Sequence, residues 1–342
     1  MNKLIPLILL ILLALLAAAC TKEPAKGTYM KSSTIMYTVV SITVVAESPE
    51  KAETSIDAAF DEIRRLEKLL SFWTEDSEIA EINKNAGLKP VKVSPETLDI
   101  VEKALFVSSE TKGSFDPTIG PVIRLWDFKT HRKPSPQEIA KKVKEVNYLT
   151  LKADAAASTV YLYSKGMSFD TGGIAKGYAA DLAAEKLKAL GISGGLVSVA
   201  GDIRAFGTRA DGTAWRVGIR DPRSEDREHY MAVVELKDEG ISTSGDYERF
   251  FVIDGKRYHH ILNPKTGMPA EGSMSVTVIA PRAVYTDGFS TGAFVLGPEE
   301  GIKTLERLGY EGLIITSEGK TLVTPGMRAR LEWEPESVYK VK

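Results

Sequence analysis

The chain has 342 residues, 43% of them hydrophobic and 26% charged, which excludes disordered and collagen-like classes and leaves ample material for a full core. Forty-four Lys and Arg stand against 46 Asp and Glu, a net charge of −2. No basic excess exists to hold a polyanion, which argues against nucleic-acid binding.

In chain order, Lys3 is followed by Leu4 to Ala19, an uncharged run, and then by Cys20, the single cysteine. The run falls short of the about 20 apolar residues of a membrane span and fits the apolar region of a signal peptide. Ala17-Ala18-Ala19-Cys20 resembles a bacterial lipobox, in which cleavage precedes the cysteine and its thiol takes a lipid. Residues 1–19 are therefore read as a signal peptide and 20–33 as a polar, lipid-anchored tether. Residues 34–342 are expected to form one functional domain outside the cytoplasm, lipid-anchored to a bacterial membrane and facing the periplasm where the cell has two membranes; Thr21 after the cysteine does not suggest retention in the inner one. With its thiol lipidated the mature chain has no disulfide, a tolerable state for a domain of this size.

Met36 to Val45 is rich in Val, Ile and Thr and predicts a strand. From about Pro49 the helical period of Ile56, Ala59, Phe60, Ile63, Leu66 and Leu70 predicts a long helix. A second helix is expected over Pro95–Thr111, and a lysine-rich surface helix over 134–146. Short strands are expected over 149–152 and 159–163, then a helix from Gly173 to Leu190 stopped by Gly191. Five or six strands between Leu196 and Ala280, helices over 284–295 and 298–308, and two final strands complete the chain. Strands and helices mix without strict alternation, so the fold class is α+β. No linker or repeat divides residues 34–342, and one compact catalytic unit with two lobes is expected.

Four stretches carry polar chemistry. In Phe169-Asp170-Thr171-Gly172-Gly173-Ile174-Ala175-Lys176-Gly177 a strand ends in an acid and paired glycines and a helix begins. Such a start lets a ligand approach the backbone and favours a pyrophosphate, though Asp170 or Thr171 serving only as a helix cap is equally compatible. The Rossmann and P-loop spacings are both absent. Asp287 and Thr291 stand four apart on a helix and share one face, either as the hard oxygen donors that suit Mg²⁺ or as an acid favoured by the helix dipole with a threonine that happens to follow. In His259-His260-Ile261-Leu262-Asn263-Pro264, adjacent strand residues point to opposite faces, so one histidine at most faces a site, as general base or as a solvated strand end. His131 and His229 lie elsewhere and zinc is disfavoured. Finally, Ser71-Phe72-Trp73 and Gly113-Ser114-Phe115-Asp116-Pro117-Thr118-Ile119-Gly120-Pro121 are turn-rich segments that line a site or pack Phe115 and Trp126.

The joint order of these signals is more specific than any one of them. Met36-Tyr37-Thr38, Ser71-Phe72-Trp73, Asp76-Ser77-Glu78-Ile79, the 113–121 segment, Asp170 through Gly177, Gly201-Asp202, Thr243-Ser244-Gly245-Asp246-Tyr247, His260 through Gly267, and Asp287 with Thr291 occur in sequence. Over about residues 34–325 this resembles the ApbE family of FAD:protein FMN transferases. The resemblance implies a T-fold-like α+β architecture and FAD as donor. It implies Mg²⁺-assisted attack of an acceptor threonine on the pyrophosphate, with FMN attached by a phosphoester and AMP released. The acceptors implied are segments of membrane or extracytoplasmic redox proteins. Carried over by position, Asp287, Thr291 and the carbonyl of Gly173 hold the metal. Met36, Trp73, Phe115, Asp116, Asp170, Lys176 and Ile261 contact FAD, and His260 is the base. Two positions depart from the family pattern: Tyr37 stands where it has glycine, and Ala200 replaces the first glycine before Gly201-Asp202. The same site with water as acceptor gives a pyrophosphatase, and without chemistry a flavin-binding lipoprotein.

Overall fold

Strand-like alternation begins nine residues earlier than the Val/Ile run. In the computed structural model, which describes residues 26–226 and 228–341, Gly27–Ile35 (β1) pairs along its whole length with Thr38–Ala46 (β2). The apolar run, Cys20 and the first tether residues lie outside the described residues. The expected tether is thus corrected over 27–33. Its Ser, Thr and Lys side chains hide a strand whose odd positions are half-buried and whose Lys31 pairs with Glu53 and Asp57. Polarity suits an edge strand, and the hydrogen bonds to β2 come from backbone.

Met36 and Tyr37 form the two-residue turn between these strands, with φ of 54° and 57°. Left-handed backbone at both positions is the hairpin geometry that favours glycine at the second. Tyr37 is 80% exposed, so its ring adds little packing. Tyr37→Gly is expected to stabilise the fold by about 0.5–1 kcal/mol, set by relief of the left-handed strain. A urea midpoint that stays level or falls means the ring contributes more than its exposure suggests.

The remaining elements follow in order. Pro49–Leu70 (α1), Glu78–Lys84 (α2), Val91–Lys92 (β3), Pro95–Glu110 (α3), Gly120–Ile123 (α4), Pro136–Lys142 (α5), Leu151–Asp154 (β4) and Thr159–Leu162 (β5) make up the first half. Ala175–Ala189 (α6), Gly194–Val199 (β6), Asp202–Phe206 (β7), Trp215–Arg220 (β8), Tyr230–Leu236 (β9) and Gly240–Gly245 (β10) come next. Phe250–Ile253 (β11), Lys256–His259 (β12), Ser273–Ala280 (β13), Ala283–Leu296 (α7), Pro298–Arg307 (α8), Glu311–Thr316 (β14), Thr321–Val323 (β15), Pro325–Arg330 (α9) and Glu332–Trp333 (β16) close the chain. Eight strands therefore lie between 194 and 280 where five or six were expected, because four-residue strands such as β11 and β12 turn on a single Asp254-Gly255 and carry too little apolar pattern to separate.

The architecture is α+β. An eight-stranded antiparallel sheet runs β1-β2-β6-β7-β10-β13-β14-β15. Alternation along its strands divides two cores. Val40, Ile42, Val44, Val276, Val278 and Ile314 face α1, α3, α6, α7 and α8. Val45, Ala205, Ile241, Ile279, Leu313 and Ile315 face the three-stranded sheet β16-β9-β8 and Met327 of α9. A separate cluster of Val122, Trp126, Ile139, Phe251, Tyr258 and Leu262 joins the β11–β12 hairpin to α4 and α5. Among the described residues, no helix is long and apolar enough to cross a membrane.

Helices α1, α3 and α5 open with Ser48, Ser94 and Ser135, each accepting a backbone N–H in its own first turn. Helices α6 and α7 have no such cap. Their N-terminal turns pack against each other, and the polar residues singled out from the sequence gather there.

Candidate active site

Two glycines and an acid set the approach to α6. The Asp170 N–H donates to the Pro117 carbonyl at 2.7 Å, and its Oδ1 accepts the Gly172 N–H at 2.9 Å. Asp170 thus shapes the turn as a local cap residue does, while facing Arg249 and Arg124. Burial pushes its carboxyl up and the two guanidinium groups oppose that shift. Thr171 Oγ1 donates to the Leu70 carbonyl at 2.9 Å, which ties the turn to the end of α1.

The cap of α6 comes from α7. Asp287 Oδ2 accepts the Gly177 N–H at 2.9 Å, and the Lys176 N–H points to the same carboxylate. Lys176 Nζ pairs with Asp202 at the start of β7, and Asp287 Oδ1 lies 3.9 Å from it. Two buried carboxylates therefore share one ammonium. Burial and the neighbouring Asp202 push Asp287 up to about 7, against the pull of Lys176. Burial pushes Lys176 down, but Asp202 and Asp287 hold it above its usual range.

One turn further along α7, Thr291 Oγ1 lies 3.1 Å from Ser244 Oγ, itself 2.9 Å from Ser290 Oγ. Across from Thr291 is Gly173, where an added Cβ would lie 3.7 Å from Thr291 Oγ1 and 3.0 Å from Phe115 Cε2. Gly173, Lys176, Phe115, Asp287 and Thr291 are thus brought together. Among the described residues no three His, Cys, Asp or Glu side chains converge, so the threonine hydroxyl and a backbone carbonyl would have to complete any ligand set. Hard oxygens beside an excess of buried negative charge fit Mg²⁺, which keeps waters and takes its remaining ligands from phosphate.

Gly177 makes the helix contact possible. A Cβ there would stand 2.1 Å from the Ala283 carbonyl oxygen and 2.8 Å from Asp287 Cβ. Neither the carbonyl oxygen nor a Cβ fixed to its own helix backbone can give way without parting the helices. Gly177→Ala is expected to destabilise the fold by about 2–3 kcal/mol and to lower turnover, because Asp287 moves with α7. Denaturant midpoints and initial rates check both effects, and a variant with wild-type values would contradict this packing.

His260 follows β12, its N–H bonded to the Arg249 carbonyl at 3.1 Å and its ring edge-on to Phe128. Its Nδ1 is buried and has no hydrogen-bond partner among the described residues. Burial, Arg249, His259 and Lys176 push the imidazole well below its usual range, so it is neutral at physiological pH. His259 faces the other way. Its Nε2 contacts the Ala270 carbonyl at 2.9 Å and its Nδ1 accepts the Ile261 N–H at 3.3 Å, which leaves it a structural role.

The other candidates make contacts mainly within their own loops. The Asp116 Oδ1 accepts from Thr118 N and Oγ1 at 2.8 and 2.6 Å, and its Oδ2 from Tyr148 N at 3.0 Å. Its visible work is to hold its own loop. Both backbone groups of Ile261 are engaged, the carbonyl with Ala270 N at 2.9 Å. Trp73 is 63% exposed and edge-on to Phe72, over which Arg124 lies at 4.2 Å. Met36 sits in the β1–β2 turn, half-buried against the main core, three residues before Val39, whose carbonyl accepts the Ala200 N–H. Sequence reasoning assigned no role to Arg249, Arg124, Ser244 or Asp202. Asp202 and Ser244 lay in recognised motifs, whereas no local signal marks either arginine.

Known proteins resemble this chain in sequence and in fold. The model of the ApbE family matches residues 36–314. The FAD:protein FMN transferase of Escherichia coli K12 is 36% identical over 296 residues, 84% of this chain and 82% of that protein. The protein of the same name from Treponema pallidum is 32% identical over 321 residues, 89% of this chain and 88% of its own length. The crystal structure of the ApbE protein of Thermotoga maritima matches with a TM-score of 0.82 at 33% identity, covering 89% of this chain and 99% of that one. The flavin transferase ApbE of Vibrio cholerae matches with a TM-score of 0.78 at 27% identity, over 89% and 99%. Near-complete coverage of relatives above 30% identity, on a shared fold, establishes that the chain belongs to the ApbE family.

Proposed function

We propose that this protein transfers FMN from FAD to a threonine hydroxyl of an acceptor protein with the help of Mg²⁺, releasing AMP. Family membership supports an enzyme that moves flavin from FAD to protein. The finer chemistry rests chiefly on one observation: a buried Asp287 carboxylate beside Thr291 and Gly173 at the start of α6. Asp287, Thr291 and the Gly173 carbonyl would hold the metal, which when bound neutralises charge on the pyrophosphate.

The chain's own groups carry the other roles. Lys176, Arg249 and Arg124 supply positive charge around the start of α6, where a pyrophosphate is favoured. Neutral His260 accepts the threonine proton as the threonine oxygen bonds to the FMN phosphorus. The bond from that phosphorus to the bridging oxygen breaks, and AMP departs with the bridging oxygen. The exposed ring of Trp73 offers a stacking face for the flavin or adenine. The leader read over residues 1–19, with Cys20 directly after it, supports a reaction carried out on a lipid anchor outside the cytoplasm, with segments of membrane or extracytoplasmic redox proteins as acceptors.

Incubation of the purified protein with FAD, Mg²⁺ and a threonine-bearing acceptor domain of a flavin-carrying redox protein tests the proposal. An FMN adduct in the intact mass of the acceptor, with one AMP per adduct, is the expected result. AMP and free FMN without an adduct would make water the acceptor, and bound FAD without AMP would remove the chemistry altogether.

A further inference from the structure

Three rungs tie α6 to α7 in antiparallel order. Gly173 faces Thr291, the Gly177 N–H donates to Asp287, and Asp181 accepts from the other helix. In that third rung the Ala283 and Val284 N–H groups donate to Asp181 Oδ1 and Oδ2, each at 3.0 Å. Successive rungs are four residues apart in both segments: the Gly177 and Asp181 rungs lie one turn apart on the facing helix surfaces, and Gly173 stands in the turn just before α6. Capping is reciprocal: neither helix has a local side-chain cap, and each takes a carboxylate from the other.

Asp181 is 1% exposed and touches none of the metal donors. Its charge is held by Arg204 Nε at 3.2 Å and Arg282 Nε at 3.3 Å, while Arg282 also reaches Glu185 at 2.7 Å. A buried carboxylate that accepts from two amides and pairs by charge with two guanidinium groups is expensive to disrupt. With an amide in its place, one of the two helix N–H groups loses its acceptor, Arg204 loses its counter-ion and Arg282 keeps only Glu185 at this end of the crossing. The first turn of α7 is then free to slide along α6, and Asp287 and Thr291 slide with it.

We infer that Asp181 is a positioning residue: it fixes the register in which Asp287 and Thr291 stand opposite Gly173, and so sets the affinity of the site for a divalent cation. This rests on the metal assignment above. Mg²⁺ demands near-ideal octahedral geometry, whereas Ca²⁺ accepts irregular sites. Loss of register therefore weakens Mg²⁺ more than Ca²⁺, a signature that general loosening of the fold does not produce.

The test measures Mn²⁺ binding by electron paramagnetic resonance on the purified full chain without FAD, with Mg²⁺ and Ca²⁺ as competitors. Asp181→Asn is expected to raise the Kd for Mn²⁺ and Mg²⁺ at least tenfold and that for Ca²⁺ less than threefold. At saturating Mg²⁺ its kcat stays within fivefold of wild type. Leu305→Ala, a truncation in the α8 core, lowers Tm but leaves the Kd within twofold. If Asp181→Asn does not fold, Arg282→Gln decides, with an expected Kd increase of about threefold. Wild-type affinity in the deciding variant, or equal weakening by Leu305→Ala, overturns the inference while the metal assignment stands. A wild-type chain that binds none of these cations overturns both.

Discussion

Replacement of Asp287 by asparagine or alanine is expected to reduce Mg²⁺-dependent AMP release by about a thousandfold or more, while FAD binding survives in weakened form. The size follows from removing a charged ligand whose metal is worth several kcal/mol to phosphoryl transfer. The shape-conserving Asp287→Asn can still accept the Gly177 N–H that caps α6, so its defect is chemical rather than structural. Asp287→Ala loses the cap as well and is expected to be less stable by about 1 kcal/mol. Chromatographic assay of AMP together with FAD fluorescence separates turnover from binding. Full activity in Asp287→Asn would remove this residue from the metal site.

The same carboxylate gives the metal-free protein a pH signature. Its folded pKa of about 7 lies above the roughly 3.9 of an unfolded aspartate. Between those values the folded chain holds a proton that the unfolded chain has lost, so stability falls as pH rises through that window. Mg²⁺ at pH 7 compensates by binding the ionised form, and Asp287→Asn flattens the dependence. Urea midpoints at pH 5 and pH 7, with and without Mg²⁺, measure it. Equal midpoints in the metal-free wild type at the two pH values would contradict the assigned environment.

How much of this was legible in advance depends on the range of each interaction. Helices α6 and α7 declared themselves within a residue or two, since helical period and Gly191 are local signals. Gly173, Asp287 and Thr291 could each be picked out, but their meeting depends on a register between helices more than 100 residues apart. No spacing encodes that register; the Gly177 contact and the exchanged caps do. Adjacent histidines implied that one of the two faces the site, and only the Ala270 and Ile261 contacts show that His259 is the structural one. Strand β1 was hidden because its ladder is backbone and its exposed positions are polar. Arg249 was hidden for a related reason: its position beside Asp170 is set by a short hairpin whose sequence carries no strong pattern.

His260→Gln is expected to lower kcat by about 10²- to 10⁴-fold, the range of a positioned general base, with little change in the KM for FAD. A threonine hydroxyl is a weak nucleophile at neutral pH and needs a base that is unprotonated when the acceptor arrives. Burial, reinforced by the positive charges of Arg249 and Lys176, keeps the imidazole neutral. Its buried, unpartnered Nδ1 can accept one more hydrogen bond. Because the pKa is lowered, the acid limb of kcat is expected well below pH 6.5, the midpoint of an ordinary histidine. His259→Gln provides the contrast, since that ring spends its nitrogens on Ala270 and Ile261. Its loss is expected to lower stability by about 1–2 kcal/mol and to leave the acid limb in place. A rate in His260→Gln within tenfold of wild type, with the acid limb intact, would pass the base to another group. With no other histidine assigned to the site, Asp287 or the substrate's own phosphate would then have to take the proton, and the pH profile of Asp287→Asn would separate those two.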